Sequence, residues 1–122
     1  MNPQWLQDWG RQGINSEFMS YKNFGDSFLH QGEYNKAIAQ YQRALQIKPD
    51  QAGVMINLAV AYMYSNSYKD ATKILRDASK LESNLKDLIV FNIGELMEKQ
   101  GKKDIALEYY KKALGSIYID PV

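Results

Sequence analysis

Three nine-residue stretches of this chain follow one pattern, and their spacing constrains the fold more than any other feature of its 122 residues. FGDSFLHQG covers residues 24–32, LAVAYMYSN residues 58–66 and IGELMEKQG residues 93–101. Each runs from a large apolar residue to a small one, skips two places, reaches a second large apolar residue and closes on Gly or Asn. The small residues are Gly25, Ala59 and Gly94, which stand 34 and 35 residues apart. A period of this length belongs to a stacked supersecondary unit that buries its apolar face only against its neighbours.

The correspondence extends on both sides. The first unit carries Tyr21, Phe24, Gly25 and Phe28, then Gly32, Tyr34, Ala37, Tyr41, Ala44 and Pro49. The second carries Met55, Leu58, Ala59 and Tyr62, then Asn66, Tyr68, Ala71, Leu75 and Ala78. The third carries Val90, Ile93, Gly94 and Met97, then Gly101, Ala106, Tyr110 and Ala113. Tyr21 to Ala37, Met55 to Ala71 and Val90 to Ala106 are each sixteen residues. Apolar residues at i, i+3 and i+7 make one face of an α-helix. The small residues let two helix backbones approach, with aromatic side chains filling the space beside them. Gly32, Asn66 and Gly101 tolerate the left-handed turn that ends a helix. Ser67 and Asp50 are the expected caps of the helices that follow them. Pro49 cannot continue a helix and separates the first two units.

These landmarks resemble the tetratricopeptide repeat, with its W-x2-L-G-x2-Y, A-x3-F and P pattern. The likeness covers roughly residues 18–122. The second unit has Ser83 in place of the closing Pro, and the third has Lys103 where the others have Tyr and three extra residues before Asp120-Pro121. The expected architecture is an all-α solenoid of three antiparallel helix pairs, about 17–31 with 34–48, 51–64 with 68–81 and 85–100 with 103–118. The extra residues would lengthen the last helix. A short N-terminal helix over residues 3–9 precedes the pairs, capped by Asn2 with Pro3 at its first position. Residues 1–16 then form a capping helix and linker, and residues 17–122 the repeat domain, with repeats at about 18–51, 52–86 and 87–122. Trp5, Leu6 and Trp9 share one side of the short helix and are expected to pack on the first repeat; the rival reading is a docking peptide. Gly10 and Gly13 make a flexible connection.

Composition narrows the function. Charged residues are 24% and the net charge is +1, which argues against a dedicated nucleic-acid binder. The chain has no Cys, so it can form neither disulfide nor thiolate metal site. The start, MNPQWLQDWG, is not a secretory signal, and no apolar stretch approaches a membrane span. A cytoplasmic protein without membrane contact is the default. His30 is the only histidine, and Tyr34 stands at its i+4 position, so no metal site is expected there. Glu95 and Glu98, at i and i+3, read as a solvated helix face. No catalytic residue, metal or cofactor is expected, and the chain reads as a non-enzyme.

The resemblance implies a concave face lined by the first helix of each pair, a face that commonly binds peptides. In the first unit its stripe is Lys22, Asn23, Asp26, Leu29 and His30. In the second it is Ile56, Asn57, Val60, Met63 and Tyr64, and in the third Phe91, Asn92, Glu95, Glu98 and Lys99. Asn23, Asn57 and Asn92 are equivalent, and a row of amides can bind an extended backbone without reading its side chains. An apolar centre beside an acidic end suits a ligand with an apolar anchor and a basic neighbour. Co-chaperones of this family hold a terminal carboxylate with Lys and Asn, then Asn, then Lys and Arg. Lys22 and Asn57 match that set, but Asp26 replaces the first Asn, and Leu88 and Asn92 replace the last two cations. Acidic chaperone tails are therefore not expected partners.

The C-terminal helix supplies a second reading, self-assembly. Ile105, Tyr109, Ile117 and Tyr118 would leave apolar surface for a second copy, making a homo-oligomer, or for further units of a longer protein or enzyme.

Overall fold

The structure, a computed structural model, describes residues 3–115. Among these residues the chain forms six α-helices and no strand: α1 (Gln4–His30), α2 (Tyr34–Ile47), α3 (Ala52–Tyr64), α4 (Tyr68–Ser79), α5 (Lys86–Lys99) and α6 (Lys103–Leu114). The closest associations are α1 with α2, α3 with α4 and α5 with α6; each pair then stacks on the next through α2–α3 and α4–α5. This is the expected all-α solenoid. The first helices also touch one another, α1 to α3 and α3 to α5. That proximity makes their side the inner side of the stack.

Three equivalent turns set this geometry. Gly32, Asn66 and Gly101 take φ of 76°, 65° and 81°. The next N–H then reaches back five residues: Glu33 to the Phe28 carbonyl at 2.9 Å, Ser67 to Tyr62 at 2.8 Å and Lys102 to Met97 at 2.9 Å. This is the Schellman closure, which satisfies carbonyls a helix end would otherwise leave bare. The expected side-chain caps do not form. Ser67 makes no capping bond, and its hydroxyl accepts from Ser65 Oγ at 3.3 Å. Asp50 stands in the left-handed region at φ 62°, turning the chain after Pro49, and the residue flanking α3 is Gln51.

The core follows the repeats. One cluster centres on Phe18, Ala37, Tyr41, Ala44 and Leu58; another on Met55, Ile56, Ala59, Leu75 and Ile89. Leu45, Tyr62 and Ile74 pack against both, so the two form one continuous interior.

The N-terminus departs from expectation. The separate helix over residues 3–9 and the flexible link at Gly10 and Gly13 are absent; residues 4–30 are one helix of 27 residues. No proline interrupts it, and each glycine costs only about 1 kcal/mol of propensity. The Gln4–Asp8 hydrogen bond at 2.9 Å and the Arg11–Asp8 ion pair at 3.4 Å also span the early turns. The first buried residue of α1 is Phe18. Residues before it project for about 21 Å at the helical rise. Trp5 and Trp9 are 67% and 69% exposed and do not pack on the first repeat. At the other end α6 closes at Leu114. The expected lengthening to 118, and the Asn2 cap, lie outside the described residues.

Candidate functional site

The inner side of the stack is made by α1, α3 and α5, and the repeat register decides which of their residues reach it. Lys22, Ile56 and Phe91 are equivalent, as are Leu29, Met63 and Glu98. In the middle unit these places are covered. Ile56 is 3% exposed and Met63 fully buried, both in the cluster that holds Ile89 and Leu96 of α5. The expectation that Ile56 and Met63 line the groove is therefore corrected: α5 lies across them. A first helix between two others needs an apolar stripe wide enough for both, and α3 is apolar almost all round. Phe91, on the last first helix, stays exposed.

The three asparagines do not form a row of equal donors. Asn23 is exposed. Asn57 is half-buried and donates through Nδ2 to Asp26 Oδ1 at 3.2 Å. Asn92 is buried, and its amide donates to the Leu88 carbonyl of its own helix at 2.8 Å. Only Asn23 presents its amide to solvent without such an engagement.

Asp26 is the centre of the first half of the groove. Its Oδ1 accepts from the Tyr41 hydroxyl at 2.5 Å as well as from Asn57, and its Oδ2 accepts from Lys22 Nζ at 3.0 Å. Burial by itself would raise the Asp26 pKa, but the bonds from Tyr41, Lys22 and Asn57 outweigh it and hold the carboxyl below its ordinary value. Burial, then the hydrogen bond to Asp26 and its charge, pushes the Tyr41 hydroxyl far up. Helices of two repeats are joined here through one carboxylate, and the Lys22 charge is neutralised by it.

The other half is unlike it. Val60 and Glu95 stand where Asp26 stands. Glu95 is half-buried, and among the described residues no cation lies within ion-pair distance of it. Lys99, one turn on, sits instead over the Tyr64 ring, 4.1 Å from its centroid. Burial pushes the Glu95 pKa up; the Lys99 charge opposes this and Glu98 adds to it. Glu98 Oε2 accepts from the Tyr110 hydroxyl at 2.5 Å. The Phe91 ring leans on Tyr110 with centroids 5.2 Å apart. Burial first, and then Glu98, raises the Tyr110 hydroxyl pKa strongly. The result is an exposed aromatic face beside two carboxylates, neither of which has a cation within ion-pair distance among the described residues. The apolar centre expected from Ile56, Val60, Met63 and Phe91 reduces to Val60, half-buried, and Phe91. Met19 and Leu88, which share a repeat position and are both exposed, extend this side and were not selected from the sequence.

Tyr34 and Tyr64 stack with centroids 5.4 Å apart, interplanar angle 18°. With Lys99 they make a ladder across all three units at one rim. The expected position of Tyr64 on the groove face did not show this stack, because Tyr34 lies thirty residues earlier on a second helix.

Of the residues expected for self-association, Ile105 is exposed, while Tyr109 is partly buried and lines an outer cavity of about 450 Å³ with Ser79, Val90 and Ile93. Ile117 and Tyr118 lie outside the described residues. Among the described residues no group of acidic, His or Cys side chains could hold a metal ion, and no helix is long and apolar enough to cross a membrane.

Residues 25–66 match the family described as TPR repeat, and residues 89–120 the tetratricopeptide repeat. This chain is a tetratricopeptide-repeat domain. The N-terminal domain of stress-induced protein-1 (STI-1) from C. elegans shares the fold, with a TM-score of 0.67 at 18% identity over 88% of this chain and 89% of that one. Two curated relatives are BBSome complex member BBS4 of Bos taurus, 26% identical over 109 residues, and the inactive peptidyl-prolyl cis-trans isomerase shutdown of Bombyx mori, 32% identical over 100 residues. They cover 88% and 67% of this domain, which spans 21% and 22% of their lengths, about a fifth. Tetratricopeptide-repeat domains are protein-interaction modules, and this domain is one in that general sense.

Proposed function

We propose that the inner face of this tetratricopeptide-repeat domain binds an extended segment of a partner protein, with an apolar anchor against Val60 and Phe91 and a basic side chain beside Glu95 and Glu98. The observation that carries the reading is Glu95, a half-buried carboxylate with no cation in ion-pair range among the described residues. A ligand ammonium or guanidinium there would recover interaction lost to desolvation and lie close to the Phe91 ring. Asn23 and, at the edge of the Asp26 network, Asn57 are the polar contacts for the ligand backbone. The same charge distribution disfavours acidic chaperone tails, because Lys22 is already paired with Asp26 at 3.0 Å.

Fluorescence anisotropy tests this with labelled ten-residue extended peptides carrying Leu at a fixed position and Lys, Ser or Glu two residues on. Affinity should fall in the order Lys, Ser, Glu. The order should flatten in Glu95→Gln/Glu98→Gln and as salt is raised. Equal binding of the three peptides by the unaltered domain would refute the basic-segment reading.

A further inference from the structure

The outer side of the stack is not filled evenly. Between the first two pairs, α2 sets Ile38 and Leu45 beside α3, and both are partly buried against the core. One repeat on, α4 carries Thr72 and Ser79 at the same two places. Two branched aliphatic side chains are thus replaced by two short hydroxyls where α4 meets α5. Two cavities of about 450 and 250 Å³ open there between α4 and α6, and both are lined by Ser79, Ile93 and Tyr109. They make one trough along the outer side of α5.

The floor of the trough is apolar. Val90, Ile93 and Met97 are half-buried in it, and Ile89 and Leu96 are buried. From Ile89 to Met97 it runs ~12 Å at the helical rise. The α4 wall offers no hydroxyl proton, because Thr72 Oγ1 donates to the Tyr68 carbonyl at 2.8 Å and Ser79 Oγ to the Arg76 carbonyl at 2.6 Å. Lys86, Asp87 and Lys112 stand at the larger cavity and Arg76 at the smaller. None of these four is within ion-pair distance of an opposite charge among the described residues, and neither is Glu108, exposed one turn before Lys112. Three cations against one carboxylate make the lining net positive around an apolar floor. That combination complements an anion carried on an apolar tail.

We propose that the trough between α4 and α6 binds an acyl carboxylate, with its methylene chain along Val90, Ile93 and Met97 and its head at Lys86 and Lys112. Burial of the methylenes supplies the affinity, and the two ammonium groups select the head. An extended protein segment is less suited, because its backbone N–H and C=O groups would lie on a floor that offers them no partner. A helix, about 10 Å across, is too wide for cavities of this size. The site is on the other side of the stack from the inner groove and stands or falls independently of it.

The probe is decanoate, titrated below its micelle concentration into the 122-residue chain and followed by calorimetry and by amide chemical shifts. It should bind saturably at one to one, with shifts centred on Ser79, Ile93 and Tyr109. Decanol should bind more weakly and decyltrimethylammonium more weakly still. Thr72→Ile/Ser79→Leu gives α4 the residues that α2 has at these places; it should fill the trough, abolish binding and keep the helix content. Lys86→Gln/Lys112→Gln, at exposed positions, should weaken decanoate by roughly fivefold and leave decanol unchanged, and it serves if the filled variant misfolds. Failure of decanoate to saturate, undiminished binding by the folded filled variant, or equal affinity for decanoate and decyltrimethylammonium overturns the proposal. So does tighter binding, at the same amides, of the blocked peptide Glu-Leu-Leu-Glu, since a protein segment would then be the occupant.

Discussion

Gly25 lies flat against the ring of Tyr41: a Cβ built on it would stand 2.6 Å from Tyr41 Cε1. The third repeat repeats the relationship, with a Gly94 Cβ 2.7 Å from Tyr110 Cε1. The middle repeat solves the same contact with Ala59 and Leu75, both buried in one cluster. The small residue on the first helix is matched in size to the side chain opposite it on the second. Aromatic pairs with glycine, and leucine with alanine.

Gly25→Ala should therefore destabilise the domain, by about 1–3 kcal/mol for overpacking less up to about 1 kcal/mol of gained helix propensity. Gly94→Ala should cost less, because Tyr110 is partly exposed and its ring can shift, whereas Tyr41 is fully buried. Adding Tyr41→Leu to Gly25→Ala should recover part of the loss, as in the Ala59–Leu75 pair. Urea unfolding of the cycle measures the coupling.

Asp26→Asn should lower stability at neutral pH by about 1–2 kcal/mol, since charge-assisted bonds from Lys22 and Tyr41 are weakened. The sign with pH follows from the depressed folded pKa. Such a carboxylate contributes stability that is present above its unfolded pKa, about 3.9, and lost as pH falls through the lower folded value. The gap between wild type and variant should close in acid, as read from thermal melts at a series of pH values.

Glu95 has the opposite sign. Its folded pKa is raised, so the folded state holds the proton more tightly than the unfolded state does. Its charge costs stability above the folded pKa, and that cost disappears as pH falls below the unfolded one. Glu95→Gln should raise the melting temperature at pH 7 and leave it unchanged in strong acid. An unaltered melt at pH 7 would mean that the carboxylate has a compensating cation in solution.

Met63→Ala should cost about 2–5 kcal/mol, as for any buried methionine truncated to leave a cavity. Val60→Ala, half-buried on the inner side, should cost much less. A substitution intended to disable the groove therefore belongs at Val60, Phe91 or Glu95; at Met63 it would unfold the domain.

The projecting start of α1 should be neutral to the core. Trp5→Ala/Trp9→Ala should shift stability by no more than about 0.5 kcal/mol. A Cβ on Gly10 or Gly13 would have nothing within 4 Å, so Gly10→Ala/Gly13→Ala should raise helical circular dichroism without moving the main melting transition.

Residue identity at fixed separation determined the repeat, the three turns at Gly32, Asn66 and Gly101, and the pairing of Gly25, Ala59 and Gly94 with bulky partners, because each depends on contacts inside one unit or on local φ. The sequence also placed Asp26 and Glu95 at one register position. What it left open was decided between units. Ile56 and Met63 read as a groove stripe on α3 and became core because α5 covers them. Asn92 and Asn57 read as free amides and were engaged by Leu88 and Asp26. Residues 3–9 read as a separate helix joined through a flexible link at Gly10 and Gly13, and instead residues 4–16 are the start of α1. Burial on a stacked helix is set by how far the neighbouring unit overlaps it, a non-local quantity that hydrophobic periodicity along one helix does not contain.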